Sequence, residues 1–199
     1  MIPKDVAKSY DDFAERWRSD TFPHNNGIAQ HERAIDFVKE KRAGLDVGCG
    51  CSGRIIELLL SQGFKVEGVD VSARMIDLAR QRQPTVLFHQ ADICDWELPQ
   101  KYDLISAWDS IWHVPLSSQE AVLAKLLQGL NSGGVCIFTT GGLDAPAEKV
   151  DAAMGVPMYY SVLGIPRTLA LIAEQGCVCR HLEYDQHPES HLYVIAQRT

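Results

Sequence analysis

Three glycines stand close together in the pattern Gly48-x-Gly50-x-x-Gly53. They follow the apolar run 44–47 and precede a helical pattern that starts at 54, so they predict a tight turn between a buried strand and a helix. Glycines in such a turn let the backbone approach a ligand closely, and the helix N-terminus offers unpaired N–H groups. This arrangement is typical of sites for adenosine-containing ligands.

Two carboxylates flank the glycine turn. Asp46 precedes it within the same strand, and Asp70 ends the next predicted strand. A carboxylate at the position of Asp70 can accept hydrogen bonds from both ribose hydroxyls of a nucleoside. Asp46 would repel a pyrophosphate and therefore favours a cationic ligand. The glycines alone also fit a dinucleotide fingerprint, but Asp46 and the lack of a Tyr-x-x-x-Lys pair weigh against a nicotinamide cofactor.

The elements that must position these residues follow from the hydrophobic pattern. From residue 43 onward, β-rich runs alternate with helical stretches, which predicts a parallel sheet covered on both faces. The predicted strands are 44–47, 65–70, 85–90, 102–107, 134–140, 178–185 and 191–196. The predicted helices are 54–62, 73–80, 117–130 and 166–175. Ser72 and Ser117 can cap helices, and Gly63 and Gly176 fit left-handed stops.

The last two predicted strands are separated only by residues 186–190, so we expect an antiparallel hairpin there. Ahead of the sheet, 4–18 and 27–41 have the spacing of two helices, the first of which would pack Trp17 on its apolar face. The stretch 141–164 has no clear period, which is typical of an insertion over an active site. We predict one domain over 1–199, with N-terminal lid helices at about 1–42 and a substrate-side insertion at about 141–164.

Composition narrows the possible partners. The formal net charge of -7 disfavours a nucleic-acid partner. No apolar run approaches the roughly 20 residues that a membrane helix needs. The N-terminus lacks the apolar segment of a signal peptide, so we expect a cytoplasmic protein without membrane association. The spacing of the 6 cysteines suits neither a disulfide framework nor a zinc site, which predicts reduced thiols and no metal.

Five segments, taken in order, resemble the successive motifs of the class I S-adenosylmethionine-dependent methyltransferases: LDVGCGCSG at 45–53, VEGVDVS at 66–72, ADICDW at 91–96, YDLISAWDSIWHVP at 102–115 and NSGGVCIFTT at 131–140. Within that family the sequence is most similar to the small-molecule, ubiquinone-biosynthesis-like branch (types 11 and 12). The resemblance implies a Rossmann-like α/β fold. Its seven-stranded sheet would be ordered 3-2-1-4-5-7-6, with strand 7 antiparallel and helices on both faces.

The resemblance also implies which residues contact the cofactor, S-adenosyl-L-methionine. On the methionine part, the implied contacts are Gly48, Cys49 and Gly50 along its length, Asp46 on its ammonium directly or through water, Trp108 beside the sulfonium, and Tyr10 as a lid over the carboxylate. The ribose hydroxyls would bind Asp70. The adenine would lie between Val71 and Met75, with its exocyclic amine on Asp92 and the backbone N–H of Ile93 as a further donor.

Several of these residues have a plainer interpretation. Asp92 could form an Asx-turn in its loop, and Tyr10 could belong to the apolar face of a packed helix. His113 could act as the general base for an acceptor, or could be a buried histidine with satisfied hydrogen bonds. An apolar substrate pocket or a packed insertion would each explain the side chains Met154, Met158, Tyr159 and Tyr160.

The predicted activity is transfer of a methyl group from S-adenosyl-L-methionine to a small-molecule acceptor. The alternatives are a nicotinamide-dependent oxidoreductase and a non-catalytic cofactor-binding subunit. Methylation of a nucleic-acid base is disfavoured, because strand 4 runs into Trp108-Asp109-Ser110-Ile111 rather than an Asn-Pro-Pro-aromatic sequence. The acceptor, the need for a base, and the choice between monomer and homodimer stay open at this point.

Overall fold

The computed structural model describes residues 5, 6, 8–11, 25–152 and 155–199. Residues 5, 6 and 8–11 are helical and are called the N-terminal segment below. The longer helices are α1 (Ile28–Asp36), α2 (Arg54–Ser61), α3 (Ala73–Arg82), α4 (Leu116–Gln128) and α5 (Ile165–Glu174). The strands are β1 (Ala43–Val47), β2 (Lys65–Asp70), β3 (Leu87–Gln90), β4 (Tyr102–Ala107), β5 (Leu130–Gly141), β6 (Ala147–Asp151), β7 (Met158–Val162), β8 (Cys177–Tyr184) and β9 (His191–Arg198).

The central sheet has seven strands in the order β3-β2-β1-β4-β5-β9-β8. Strands β1 to β5 are mutually parallel, whereas β9 is antiparallel to β5 and to β8. The predicted fold class, strand order and terminal hairpin are therefore confirmed. Because β9 runs against the parallel strands, its first residue, His191, lies beside the last residue of β5, Gly141.

The sheet is central because its middle strands are apolar on both faces. All residues of β4 are buried, and so are the last four residues of β1, as expected for parallel strands covered by helices. One face packs on α4 and α5, and the other on α2 and α3. Burial of each large aliphatic side chain, such as Leu126 or Leu59, contributes about 1.5–3 kcal/mol. The rigid sheet then fixes the loops at its carboxyl edge.

Helix ends agree with the sequence in most places. Ser72 Oγ accepts a hydrogen bond from Met75 N at 3.0 Å, which confirms the predicted cap of α3. Gly63 and Gly176 have φ values of +91° and +70°, as expected for left-handed stops. The predicted cap at Ser117 is wrong, because α4 begins at Leu116 after a proline that fixes the extended entry. Trp17 lies outside the described residues.

The segment 141–164 contains an antiparallel hairpin, β6 and β7, that the sequence pattern did not predict. No residue of β6 is buried, so the strand carries no apolar signal. The hairpin is tied to the loop after β4 by Ser161, whose Oγ donates to Val114 O at 2.5 Å and accepts from Gln119 Nε2 at 2.9 Å. The hairpin therefore stands beside the carboxyl edge of the sheet. Met154 lies outside the described residues.

Two negative findings concern the described residues. Within residues 25–152 and 155–199 and the N-terminal segment, no helix is long and apolar enough to cross a membrane. Over the same ranges, no three histidine, cysteine or acidic side chains group in a way that could hold a metal ion. All six cysteines are free, and four of them are buried.

Candidate active site

A pocket opens at the carboxyl edge of β1, β2 and β4. Its empty volume is about 940 Å³, including the part open to solvent. Of the predicted site residues, ten line the pocket: Tyr10, Gly48, Cys49, Gly50, Asp70, Val71, Asp92, Ile93, Trp108 and His113. Asp46 and Met75 do not.

The glycine loop forms one wall of the pocket with its backbone. The N–H groups of Gly48 and Cys49 donate to Val69 O at 2.8 and 3.1 Å, which ties the loop to β2. Gly48 has a φ of +69°, and a Cβ at this position would lie 2.3 Å from Ser110 Cβ. Glycine is thus required both by the left-handed conformation and by the close approach of the loop after β4.

Asp70 lies on the pocket wall at the end of β2. Its Oδ2 accepts from Gly50 N and its Oδ1 from Ser72 N, each at 2.9 Å. Burial raises the pKa of Asp70, and the two backbone N–H groups partly oppose this. Because each carboxylate oxygen has two acceptor positions, both oxygens retain capacity toward the pocket. The arrangement can accept two hydroxyl groups from one ligand.

Asp46 lies behind the pocket wall and is 4% exposed. Burial raises its pKa to about 7, against a hydrogen bond with Ser106 and the charge of Arg54. Ser106 Oγ is also 3.0 Å from Nε2 of the buried His31. Burial lowers the pKa of His31 to about 4, so the imidazole is neutral at pH 7. Asp46 therefore belongs to a buried polar chain next to the glycine loop.

Arg54 follows the glycine loop directly and lines the pocket. It is the only lysine or arginine among the pocket-lining residues that the structure describes. Its Nε donates to Asn26 O at 2.9 Å and a terminal nitrogen donates to Ser52 Oγ at 2.8 Å. Burial lowers the pKa of Arg54, while the carboxylates of Asp109 and Asp46 oppose that change. A buried guanidinium held in this way can bind a carboxylate of a ligand.

His113 is enclosed by hydrogen-bond partners. Nδ1 is 2.7 Å from Tyr159 O, which can only accept, so this nitrogen carries the proton. Nε2 then accepts from Tyr10 Oη at 2.8 Å and from Trp112 Nε1 at 3.1 Å. Burial lowers the pKa of His113 to about 4. A weakly basic nitrogen whose lone pair already receives two donors is unsuited to remove a proton from an acceptor, so these contacts favour the second interpretation, a buried histidine with satisfied hydrogen bonds.

An acidic group lies at the other end of the pocket, after β4. Asp109 lines the pocket and has a φ of 52°, a conformation that few non-glycine residues adopt. Its Oδ1 is 3.0 Å from His191 Nε2, and its Oδ2 accepts from Asn26 Nδ2 at 3.0 Å. His191 Nδ1 is 2.5 Å from Asp185 Oδ1. Burial disfavours the imidazolium, but the hydrogen bonds to both carboxylates outweigh it and raise the pKa of His191.

Comparison with known proteins finds that this chain is similar to methyltransferases. Residues 45–134 match a family described as a methyltransferase domain. An uncharacterized methyltransferase of Bacillus mycoides is 27% identical over 74% of this chain and 70% of that protein. The malonyl-[acyl-carrier protein] O-methyltransferase of Acetivibrio thermocellus is 38% identical over 49% of this chain, which spans only 35% of that relative.

The solved structure of the DhpI–SAH complex superposes with a TM-score of 0.71 at 20% identity, over 99% of this chain and 97% of that one. The superposition shows a shared fold, and the family match and the ordered motifs both fall on the same segment. Residues 45–134 form a class I S-adenosylmethionine-dependent methyltransferase domain. The family methylates with S-adenosylmethionine as cofactor, in agreement with the predicted cofactor.

In this methyltransferase, the loop after β3 forms the far wall of the pocket. Asp92 lines it, and its Oδ1 also accepts from Cys94 N at 2.9 Å. The Asx-turn that was the plainer interpretation is thus present, alongside the position on the pocket wall. Lys125 Nζ donates to three carbonyls of this loop, those of Ile93 at 3.0 Å, Cys94 at 3.2 Å and Trp96 at 2.8 Å. The loop is therefore held in place from α4.

Val71 and Met75 are separated by the fold. Val71 lines the pocket of the methyltransferase, whereas Met75 is buried in a cluster with Cys51 and Leu78, against Tyr10. Met75 faces inward because its backbone N–H is held by the Ser72 cap in the first turn of α3. Of the two side chains predicted to enclose the adenine, only Val71 stands in the pocket wall.

Trp108 lines the pocket while most of its ring is buried. It packs against His31 and Tyr193, with ring centroids 5.2 and 5.8 Å apart. Its Nε1 is buried and has no hydrogen-bond partner among the residues that the structure describes. On the insertion, Met158 and Tyr159 are buried together with Val6 rather than facing the pocket, which favours the packed-insertion interpretation for these two residues.

Eleven of the residues that line the pocket were not among the predicted site residues, and they include Val6, Arg54, Asp109 and Ser110. The place of Arg54 in the site could have been predicted, because it follows the last glycine of the loop directly and lies at the predicted start of a helix. Asp109 and Ser110 lie in the motif at 102–115, but their position in the pocket depends on the left-handed conformation of Asp109, which its residue type does not predict.

Proposed function

We propose that this chain transfers the methyl group of S-adenosylmethionine to a small-molecule acceptor. The observation that carries the proposal is the carboxylate of Asp70, which is held on the pocket wall by the backbone N–H groups of Gly50 in the glycine loop and of Ser72, the residue before α3. Bound S-adenosylmethionine supplies an electrophilic methyl group whose carbon–sulfur bonding electrons leave with sulfur, so that S-adenosylhomocysteine remains.

The residues of the pocket fit this ligand from one end to the other. Asp70 would bind the ribose hydroxyls, and Val71, Asp92 and Ile93 would contact the adenine. Gly48, Cys49 and Gly50 would follow the methionine part without side-chain interference. Arg54 would bind its carboxylate, and Asp46 would interact with its ammonium from behind the loop, through water. Trp108 would border the sulfonium.

Little covalent work falls to the protein in such a reaction. Its contribution is to hold the acceptor in line with the methyl carbon and to exclude water, both of which lower the activation barrier. Tyr10 and His113 serve the second task, because their hydrogen bond fastens the N-terminal segment over the pocket. We assign His113 to this positioning role in place of the predicted base.

We also propose a domain organisation and a cellular location for this chain. Residues 1–42 would act as a lid and 141–164 would border the acceptor side of a single domain. The free thiols support a reducing, cytoplasmic location. The malonyl-[acyl-carrier protein] O-methyltransferase matches only 49% of this chain, so its substrate is not carried over. The ubiquinone-biosynthesis-like branch stays a prediction.

Thermal shift separates the proposed cofactor from the nicotinamide alternative. We expect S-adenosylhomocysteine to raise the melting temperature of the protein, because a ligand that binds only the folded state stabilises it by mass action. NAD and NADP at equal concentration should not. Stabilisation by NAD or NADP alone would overturn the proposal. A protein that binds S-adenosylhomocysteine yet methylates no acceptor in a broad panel would support the non-catalytic alternative.

A further inference from the structure

The strand order divides the pocket into two ends. Asp70 and the loop after β3 lie at the β2–β3 side, and the glycine loop follows β1. The loop after β4 lies on the opposite side, where Asp109 and Ser110 line the pocket. If the adenosine occupies the first end, the acceptor must approach from the second. This step rests on the proposed function.

Asp109 is the charged group at that second end. Asn26 and His191 each bind one of its oxygens, which fixes the carboxylate and leaves the second acceptor position of each oxygen unused by these two bonds. Gln30 Nε2 donates to Asp185 Oδ2 at 2.8 Å, so the carboxylate that contacts the other ring nitrogen of His191 is also held in place. The two ring nitrogens of His191 are 3.0 Å from Asp109 and 2.5 Å from Asp185, so Asp109, His191 and Asp185 form one connected group.

Aromatic rings surround this group. Trp112 packs edge-on against His191 with ring centroids 5.4 Å apart, and Tyr160 lies 6.1 Å from Trp112. The charge of Asp109 contributes to the raised pKa of Tyr160, after burial and Asp151, so Asp109 and the phenol interact. Lys149 Nζ already lies 5.4 Å from the centroid of the Tyr160 ring. Trp112 and Tyr160 are not among the residues that line the pocket, but Trp108 is, and its ring centroid lies 5.7 Å from that of His191. A carboxylate close to an indole ring is a setting that attracts ammonium ions.

The other acceptor classes fit this end of the pocket less well. A carboxylate or thiolate would be repelled by the Asp109 carboxylate. A hydroxyl acceptor would need a strong base, whereas the charge of Asp109 is already stabilised by hydrogen bonds with Asn26 and His191. Arg54, the lysine or arginine that lines the described pocket, is the group assigned above to the cofactor carboxylate.

We propose that Asp109 forms an ammonium-binding subsite and that the acceptor of this methyltransferase is a small amine. Asp109 would accept a hydrogen bond from the acceptor nitrogen and orient it. The bound ammonium first loses one proton to solvent, which frees the nitrogen lone pair. That lone pair then forms the new bond to the methyl carbon while the carbon–sulfur bond breaks and its electrons stay on sulfur, and Asp109 balances the charge of the methylammonium product. His191 and Asn26 position the carboxylate.

The test uses three probes that share one ring, benzylammonium, benzyl alcohol and benzoate, titrated into the full-length protein saturated with S-adenosylhomocysteine. Binding is followed by ligand-observed NMR. We expect benzylammonium to bind at least tenfold more tightly than the other two. Asp109→Asn should abolish that preference, and asparagine is tolerated at the left-handed φ of this position. Asp144→Asn, the same charge change at an exposed site outside the pocket, should preserve it.

Equal binding of the three probes by the unaltered protein, no binding of benzylammonium, or a preference that survives in Asp109→Asn would each overturn the subsite. The affinity for S-adenosylhomocysteine, measured by calorimetry on the same samples, separates this failure from failure of the proposed function. If S-adenosylhomocysteine binds and the ammonium preference is absent, only the subsite is wrong.

Discussion

The two ends of the pocket are built in different ways. At the cofactor end, the glycine loop and Asp70 are joined by backbone hydrogen bonds, and the walls are backbone or buried carboxylate. At the acceptor end, side chains from the turn before α1, the loop after β4 and the start of β9 form the site through Asn26, Asp109 and His191. The first design fixes one ligand shape by main-chain geometry. The second can change its specificity by single side-chain replacements while the strands stay in place.

The largest expected effect concerns Gly48, where the glycine loop of the cofactor end contacts Ser110 of the acceptor end. Gly48→Ala places a Cβ against Ser110, whereas Gly176→Ala has the same left-handed conformation, with φ values of +69° and +70°, in open space. Strain should cost both variants about 1–2 kcal/mol of unfolding free energy. Displacement of Ser110 should add about 1–3 kcal/mol in Gly48→Ala alone. Denaturant unfolding measures the loss of unfolding free energy in both variants. Equal losses would mean that a Cβ at position 48 does not displace Ser110.

A second prediction concerns the charge state of His113. Its pKa is about 4 in the folded protein and near 6.5 when unfolded, so the unfolded chain takes up the proton first as pH falls. Its contribution to stability is present above pH 6.5 and is lost progressively toward pH 4. Relative to His113→Gln, the native protein should lose about 3 kcal/mol over that interval. A constant difference between the two unfolding curves would show that His113 is not held neutral.

Removal of the Asp70 side chain tests the cofactor end directly. Asp70→Ala should weaken binding of S-adenosylhomocysteine more than about tenfold, or roughly 1.4 kcal/mol, because two ribose hydroxyls lose their acceptor. Asp77→Ala, at an exposed position on α3, is the control and should bind normally. Calorimetry provides both values. Unchanged affinity in Asp70→Ala would remove the principal cofactor assignment.

The polar chain behind the glycine loop should make cofactor binding depend on pH. Asp46 has a pKa near 7 and must be ionised to attract the ligand ammonium, so affinity should rise with pH. Between pH 6 and 8 the ionised fraction changes about tenfold, which sets the expected change in affinity. Ser106, Arg54 and Asp70 interact with Asp46, and Asp46→Asn isolates its share. The same slope in both proteins would exclude Asp46 from cofactor binding.

The smallest expected effect concerns the lid. Tyr10→Phe removes the hydrogen bond to His113 and should reduce affinity for S-adenosylhomocysteine a few-fold, in line with a net value of about 0.5–1.5 kcal/mol for one hydrogen bond. Tyr184→Phe also removes one hydroxyl bond, to Gly142 O, outside the pocket and should leave affinity unchanged. Equal affinity in both variants would reduce Tyr10 to a packing residue.

Much of the cofactor end was predictable because its signals are local in sequence. The strand, the glycines and Asp70 lie within a short stretch, and steric rules for positive φ allow little besides glycine at Gly48. Met75 shows the limit of this reasoning. The family resemblance implies that Met75 lies beside the adenine opposite Val71, yet Met75 is buried in a cluster with Cys51 and Leu78.

The sequence by itself determined the strands of the central sheet and the helices between them, the glycine turn and the carboxylate that ends β2, because short-range sterics and hydrophobic periodicity act on neighbouring residues. Only the tertiary structure decided that His113 is enclosed by Tyr10, Trp112 and Tyr159, and that His191 meets Asp109. The second contact exists because β9 runs against its neighbours and brings its first residue to the edge where the parallel strands end. Contacts between residues so distant in the chain depend on strand direction and packing, which no local pattern encodes.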